Sequence, residues 1–359
     1  MIRKLIPFLI ALALSLGLGL FQPATANLQS NKVVVANASN LIRPERSIEV
    51  GLHVENIYNL SLKDKLFFAE GWYWLKWPAK IQELIEENKI NIIDLVELVN
   101  QVETWDSNIQ LDSEKPELYP SGEYLQLFRF SAKFYDDGQN LQRFPFQSLD
   151  LPIIIETKPT VFSMADEAII LNPKLGAKQL IGQYATLNGY TIQKGAFKNV
   201  IHQYNTNFGE NNGARGGEFS RIEYFINYTT EFWPAFYQYI MPWIAVMAIL
   251  LLAPNLEGKF TELRLAIPST ALLTLVFLQL GTNADLPKLS YLTFIDKLYL
   301  FGYLASIVLF ALFVWGTNYY ERCEESQRGA AMLKINKFDL IYQSSLVVGS
   351  LLIALSSFL

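Results

Sequence analysis

Four apolar runs, each near the length of a membrane span, limit this chain more than any other feature: Trp233 to Ala253, Leu265 to Leu280, Leu298 to Trp315 and Leu340 to Leu359. An α-helix rises about 1.5 Å per residue, so roughly 20 residues cross the ~30 Å hydrocarbon layer. Inside lipid every backbone N–H and C=O must find a partner within the segment, which makes these runs helices. Bulk composition agrees, with 51% hydrophobic and 18% charged residues in 359 and a mean hydropathy of +0.18, too apolar for an ordinary soluble chain. A net charge of -5 without a long basic run excludes a nucleic-acid partner. The second run carries Thr270, Thr274 and Gln279. Polar groups in hydrocarbon are costly unless they face protein or water, so this helix is expected away from lipid.

Orientation follows from charge. Lys259, Arg264, Arg322, Arg328, Lys334 and Lys337 gather in the connections between spans one and two and spans three and four, which places those connections inside. The chain opens with Met1-Ile-Arg-Lys, an apolar run from Leu5 to Phe21 and Pro23-Ala-Thr-Ala26. That order of charged, apolar and small residues predicts a secretory signal peptide over 1–26, cleaved after Ala26, with an uncleaved anchor as the alternative. Both signals put residues 27–230 outside. Cys323 is the only cysteine, so no intrachain disulfide staples the exported part.

Residues 27–230 alternate apolar and polar side chains in short stretches, among them Ile48 to Ile57, Phe128 to Phe134 and Ile222 to Tyr228. They predict an immunoglobulin-like β-sandwich of about ten strands, with one helical insertion over Ala79 to Val99 and a mobile hairpin loop over Gly209 to Gly217. The fold class is therefore a mainly β extracellular sandwich followed by an all-α domain over 231–359. Its helices are expected at about 231–254, 261–284, 291–320 and 336–359.

Several local sequences, in this order, resemble the pentameric ligand-gated ion channel (Cys-loop receptor) superfamily, and its bacterial branch in particular. Phe130-Ser-Ala-Lys-Phe followed by Arg143-Phe-Pro-Phe-Gln147 is similar to the strand and Pro-loop at the base of the extracellular domain. Trp233-Pro followed by Met241-Pro242 is similar to the first span. Asp285-Leu-Pro-Lys-Leu-Ser-Tyr-Leu-Thr-Phe-Ile295 is similar to the linker that leads into the third helix. The likeness covers about residues 45–359. As in bacterial members, the Pro-loop lacks flanking cysteines, and the connection between spans three and four is short, about 20 residues between Tyr319 and Phe338.

The resemblance implies a homopentamer whose second helices surround a pore. In that register Glu262, Ala266, Thr270, Leu273, Phe277 and Leu280 recur at steps of four and three, one helical face. Glu262, Ala266 and Thr270 would form an acidic and polar inner half that selects monovalent cations. Leu273, Phe277 and Leu280 would form a hydrophobic gate. The bland reading makes Glu262 a carboxylate at a helix N-terminus, worth roughly 0.3–1 kcal/mol, and makes the Leu and Phe stripe packing core. Arg264 is read as an anchor beside the pore, and Pro268 as a source of local kinking.

Many members of the superfamily join the outer domain to the pore with an arginine before the first span and an aspartate after the Pro-loop. Thr230 or Glu231 and Gln147 stand there in this chain. Coupling is assigned instead to Phe144, Pro145, Phe146, Gln147, Lys288 and Tyr291. An effector site in the superfamily lies under a mobile hairpin between neighbouring outer domains. The matching aromatics are Phe162, Tyr190, Tyr204, Phe208 and Phe219 on one face, with Trp72 and Trp74 on the complementary one. Each ring could hold a cation at roughly 0.5–2 kcal/mol; the bland reading makes each of them sandwich core.

Enzyme chemistry finds no support. The two histidines, His53 and His202, are far apart, and no HExxH, GxSxG, Walker-type or CxxC pattern occurs. No cofactor and no metal site is expected, and Asp136, Asp137, Asp166 and Glu167 read as strand-end turns. The expected partners are further copies of the chain, membrane lipids, permeating cations and a small-molecule effector or proton. The expected location is a bacterial inner membrane with the sandwich in the periplasm. A non-conducting receptor or scaffold of the same architecture is the alternative.

Overall fold

A computed structural model describes residues 44–158, 169–174, 181–206, 218–257 and 261–358. The signal segment, the glycine-rich loop, Phe162 and Phe208 lie outside them. The chain divides into two compact units, one of strands and one of helices, and the short loop 141–147 groups with the helices.

In the strand unit, β1 (Ser47–Ser61), β2 (Leu66–Pro78) and β7 (Glu123–Tyr135) form the centre of one sheet. The edge strands β4 (Gln101–Val102), β5 (Asn108–Leu111) and β6 (Glu117–Leu118) pair with β7, while β9 (Ile170–Pro173) and β10 (Ile181–Tyr184) pair with β1. The second sheet runs β11 (Tyr190–Gln203), β12 (Glu218–Thr230), β8 (Ser148–Thr157) and β3 (Val96–Leu98). Period-two alternation explains the arrangement. Along β2, Phe67, Ala69, Tyr73, Leu75 and Trp77 are buried, while the residues between them are partly exposed. Gly71 belongs to the buried set because β1 passes so close that a Cβ there would stand 2.0 Å from the His53 carbonyl oxygen.

Hydrogen bonds among the described residues tie the sheets together, one of them from Asn199 on β11 to the Leu171 carbonyl on β9 at 3.0 Å. The Tyr224 hydroxyl on β12 donates to the Val50 carbonyl on β1 at 2.7 Å, and the Leu171 N–H on β9 donates to Ser220 Oγ on β12 at 2.9 Å. Burial raises the Tyr224 phenol above its ordinary pKa and keeps it a donor.

The helical insertion is shorter than the apolar spacing suggests. Helix α1 (Ala79–Asn88) stops at Lys89, which takes left-handed geometry at φ 54°. A 3-10 turn over Ile92–Leu95 follows, closed by a reciprocal cap between Asn91 and Asp94, and the chain then enters β3. Val96–Leu98 is strand rather than helix because the β8 edge offers it ladder hydrogen bonds.

Among the described residues of the helical unit four helices are long and apolar enough to cross a membrane: α2 (Phe232–Asn255), α3 (Thr261–Ala284), α4 (Phe294–Arg322) and α5 (Arg328–Phe358). Pro242 has no N–H to donate one turn back, and α2 widens into a π turn over Phe236–Ile240 just before it. The α4 start is capped by Thr293 and Asp296, each accepting from the other's backbone N–H. Helix α5 begins at Arg328, well before position 336, where apolar content alone would start it. Ala331 and Ile335 are buried, so tertiary packing stabilises its polar first turns.

Helices α2, α3 and α4 meet at Gly302. A Cβ there would lie 2.8 Å from Leu275 Cδ1 and 3.3 Å from the Trp243 ring nitrogen. Trp243 in turn donates to the Leu298 carbonyl at 2.9 Å. Small residues let helices approach where no hydrophobic drive separates protein from lipid. Helix α5 is fixed by Gln343 donating to the Leu251 carbonyl at 2.9 Å and by an ion pair between Asp339 and Arg264 at 3.0 Å.

A candidate pore helix and its supports

The second membrane helix differs from the other three. Of the residues in its apolar window 17% are buried, against 39% in α2, 39% in α4 and 33% in the segment containing α5. Its buried residues are Pro268, Ala271, Leu275 and Thr282. At 100° per residue these cluster on one side of the helix. Glu262, Ala266, Thr270, Leu273, Phe277 and Leu280 are all exposed, centred about 170° away on the opposite side. Phe277 is 63% and Leu280 60% exposed, an apolar stripe left largely open by the described residues.

The helix runs unbroken through Pro268, whose ring is turned to the buried side. Arg264 also points away from the exposed face. Its guanidinium is held by Asp339 and lies 4.3 Å from the Phe313 ring centre, which leaves Glu262 the only charged side chain on the exposed stripe of α3.

A polar chain between α3 and α4 fixes the rotation of α3. Gln279 Nε2 donates to Asp296 Oδ1 at 3.3 Å, the Tyr303 hydroxyl donates to Gln279 Oε1, and the Thr282 and Tyr299 hydroxyls are hydrogen-bonded at 3.3 Å. Asp296 is also the α4 cap, so one carboxylate serves the helix start and the contact to α3. Sequence reasoning missed this use of Gln279, since period and polarity do not reveal which neighbour a side chain meets.

The Pro-loop residues named from the sequence separate in role. Phe144 packs edge-on against Tyr239 of α2 at 5.0 Å, and Phe146 stacks on Phe232 at 5.3 Å and lies 6.3 Å from Phe294 at the α4 start. The Gln142 carbonyl accepts from the Phe294 N–H at 2.8 Å, and the Tyr291 hydroxyl accepts from the Leu141 N–H at 3.0 Å. Pro145 follows a cis peptide bond, Gln147 is buried, and Lys288 is exposed in the α3–α4 linker. Tyr239, Phe232 and Phe294 complete the seat. Phe232 and Phe294 open α2 and α4 and Tyr239 lies within α2, and the sequence reading assigned none of the three to coupling.

In the strand unit, Glu156 on β8 stands directly opposite Arg221 on β12, and their side chains pair at 2.5 Å while only 1% and 8% of each residue is exposed. The Tyr204 hydroxyl donates to Glu156 at 2.8 Å and accepts from Arg221 at 3.0 Å, and the Tyr204 ring packs edge-on against Phe219 at 5.2 Å and His202 at 4.4 Å. Burial, then the Arg221 charge, holds His202 below its usual pKa. Burial, then the bond to Glu156, raises Tyr204. Tyr204 and Phe219 therefore form one cluster. Tyr190 does not join them, because it opens β11 at the far end, roughly 40 Å along the strand. Trp72 and Trp74 lie on the outer face of the other sheet, Trp72 beneath the Arg129 guanidinium at 5.6 Å and Trp74 over Gly51.

Among the described residues no group of three or more His, Cys, Asp or Glu side chains could hold a metal ion. No family model matches the chain. A protein of Drosophila melanogaster described as pH-sensitive chloride channel 2 is 25% identical over 285 residues, which is 72% of this chain and 52% of that protein. The chain spans about half the length of this curated relative.

Proposed function

We propose that the protein is a subunit of a homopentameric ion channel opened by a proton or a small ligand, with α3 lining a cation-selective pore. The observation that carries this reading is the least-covered helix of the bundle: its exposed stripe holds one carboxylate, a threonine and three large apolar side chains in sequence from the inner end. A hydrophobic stripe on a membrane helix is satisfied equally by lipid, but Glu262 and Thr270 are not, and a shared water-filled axis serves both. Five Glu262 carboxylates around one axis would repel anions and attract cations.

The relative's name supports gating by pH and favours chloride, so anion selectivity is the second reading. Against it stands the tethering of Arg264 to Asp339, which leaves the stripe without a cation. The short inner connection between α4 and α5, residues 323–327, suits a bacterial inner membrane with the sandwich outside. The test is the reversal potential of the purified protein in planar bilayers under a potassium chloride gradient while outer pH is stepped. A potential near that of potassium, moving toward zero in Glu262→Gln, fits the proposal. A potential near that of chloride in both proteins contradicts cation selectivity and selects the second reading.

A further inference from the structure

The first turn of α3 carries two opposite charges, two residues apart, in unlike surroundings. Glu262 stands on the exposed stripe, and Arg264 stands roughly 200° further round the helix, on the packed side. The Arg264 guanidinium donates to Asp339 Oδ2 at 3.0 Å, and the two side chains are 13% and 11% exposed. Asp339 comes from α5, where Ala331, Ile335, Asp339 and Gln343 recur at steps of four and are all buried. The carboxylate therefore lies in the row of side chains that seats α5, and Gln343, one turn on, donates to the Leu251 carbonyl of α2.

A buried ion pair adds little to stability, since apolar side chains of similar volume hold helices together as well. Its use in this place is electrical. A guanidinium beside a conduction path raises the potential there and favours anions. Arg264 leaves α3 from the side away from the stripe, but its charge still acts across the helix. That distance is about 10–12 Å, the width of a helix with its side chains, and it crosses protein, where salt screens less than in water. Glu262, Arg264 and Asp339 together leave one negative charge per chain; without Asp339 the other two cancel. We propose that Asp339, which contributes nothing to the α3 stripe, determines cation selectivity by neutralising Arg264, so that the axis feels Glu262 alone. This inference rests on the reading of α3 as the pore helix.

The test is the ratio of potassium to chloride permeability, taken from reversal potentials of the full-length protein in planar bilayers, with assembly checked by native mass. Wild type is compared with Glu262→Gln, with Asp339→Asn, and with the double variant Arg264→Gln, Asp339→Asn. Asp339→Asn should lower the ratio on the order of tenfold, the effect of one unit charge ~11 Å away at an effective dielectric of ~20. The fall should be larger at low ionic strength than at high. The double variant, which removes both charges, should return to the wild-type ratio. A purely structural tether would instead lower assembly or current in both variants and leave the ratio and its salt dependence as they are. Where Asp339→Asn chains do not assemble alone, they can be co-assembled with wild type, and the ratio should fall with each variant chain incorporated. An unchanged ratio in assemblies containing Asp339→Asn overturns the inference, as does a double variant that loses selectivity as the single one does. If Glu262→Gln leaves the ratio unchanged, the reading of α3 as the pore lining fails and this inference falls with it. A fall in Glu262→Gln beside an unchanged Asp339→Asn sinks the inference alone.

Discussion

The two units satisfy themselves to different degrees. In the strand unit the core side chains of β1, β2, β7, β8 and β12 meet one another across the sandwich, and even its buried charge, Arg221, is answered within the same sheet by Glu156. In the helical unit α3 keeps a packed side and an open side, and the open side carries Leu273, Phe277 and Leu280. The packing of the strand unit is therefore largely internal to it. On the proposed reading, the open side of α3, which holds a carboxylate, is the side turned to further copies of the chain. Substitutions should accordingly disturb folding in the first case and assembly or conduction in the second.

The largest loss of stability is expected from Arg221→Met. Removing one partner of a buried pair leaves Glu156 uncompensated at a cost of about 3–5 kcal/mol, and Arg221→Met with Glu156→Met should recover most of it; tryptophan fluorescence during thermal unfolding reads both. Next comes Gly302→Val, where added methyls meet Leu275 and Trp243. Overpacking of this kind costs about 1–3 kcal/mol and should lower the unfolding midpoint of the detergent-solubilised protein while sparing the isolated circular-dichroism signature of the strands.

A smaller effect attaches to pH. His202 is held below 6.5 by burial and by Arg221, so the unfolded chain takes up its proton more readily than the folded one. Its contribution to stability is complete above about pH 6.5 and declines as pH falls through that value toward the lower folded pKa. Denaturant midpoints for His202→Gln should therefore be flatter than wild type on the acid side and unchanged above neutrality. Smallest of all in stability, within about 0.5 kcal/mol, should be Leu273→Ser on the exposed stripe. Its effect should appear as altered opening and leak in bilayer currents instead. A large fall in its unfolding midpoint would place Leu273 in a packing core and blur the contrast.

What was legible in the sequence was whatever local period encodes. The alternation in Ile48 to Ile57 and Phe128 to Phe134 marks β1 and β7, and run length marks the four long helices. The early start of α5 was hidden because Arg328 to Lys337 reads as polar until Ala331 and Ile335 are seen buried. The end of α1 at Lys89 was hidden because apolar spacing continues past it while the backbone turns left-handed. At the site, the α3 stripe could be written from spacing alone. The partners of Arg264, Gln279 and Arg221 lie 75, 17 and 65 positions away and belong to tertiary packing. Tyr190 and Tyr204, named for one face, stand far apart because the extended β11 strand turns closeness in the sequence into distance in space.

The central claim is that the open side of α3 faces water in a conducting assembly, and cysteine accessibility tests it most directly. With Cys323→Ser as background, single cysteines from position 262 to 280 would be exposed to a charged, membrane-impermeant thiol reagent during current recording. The account predicts block at 266, 270, 273 and 277 and no block at 271 and 275, a helical period with one reactive side. Reaction at 271 and 275, or silence along the whole helix in assemblies that carry current, would contradict it.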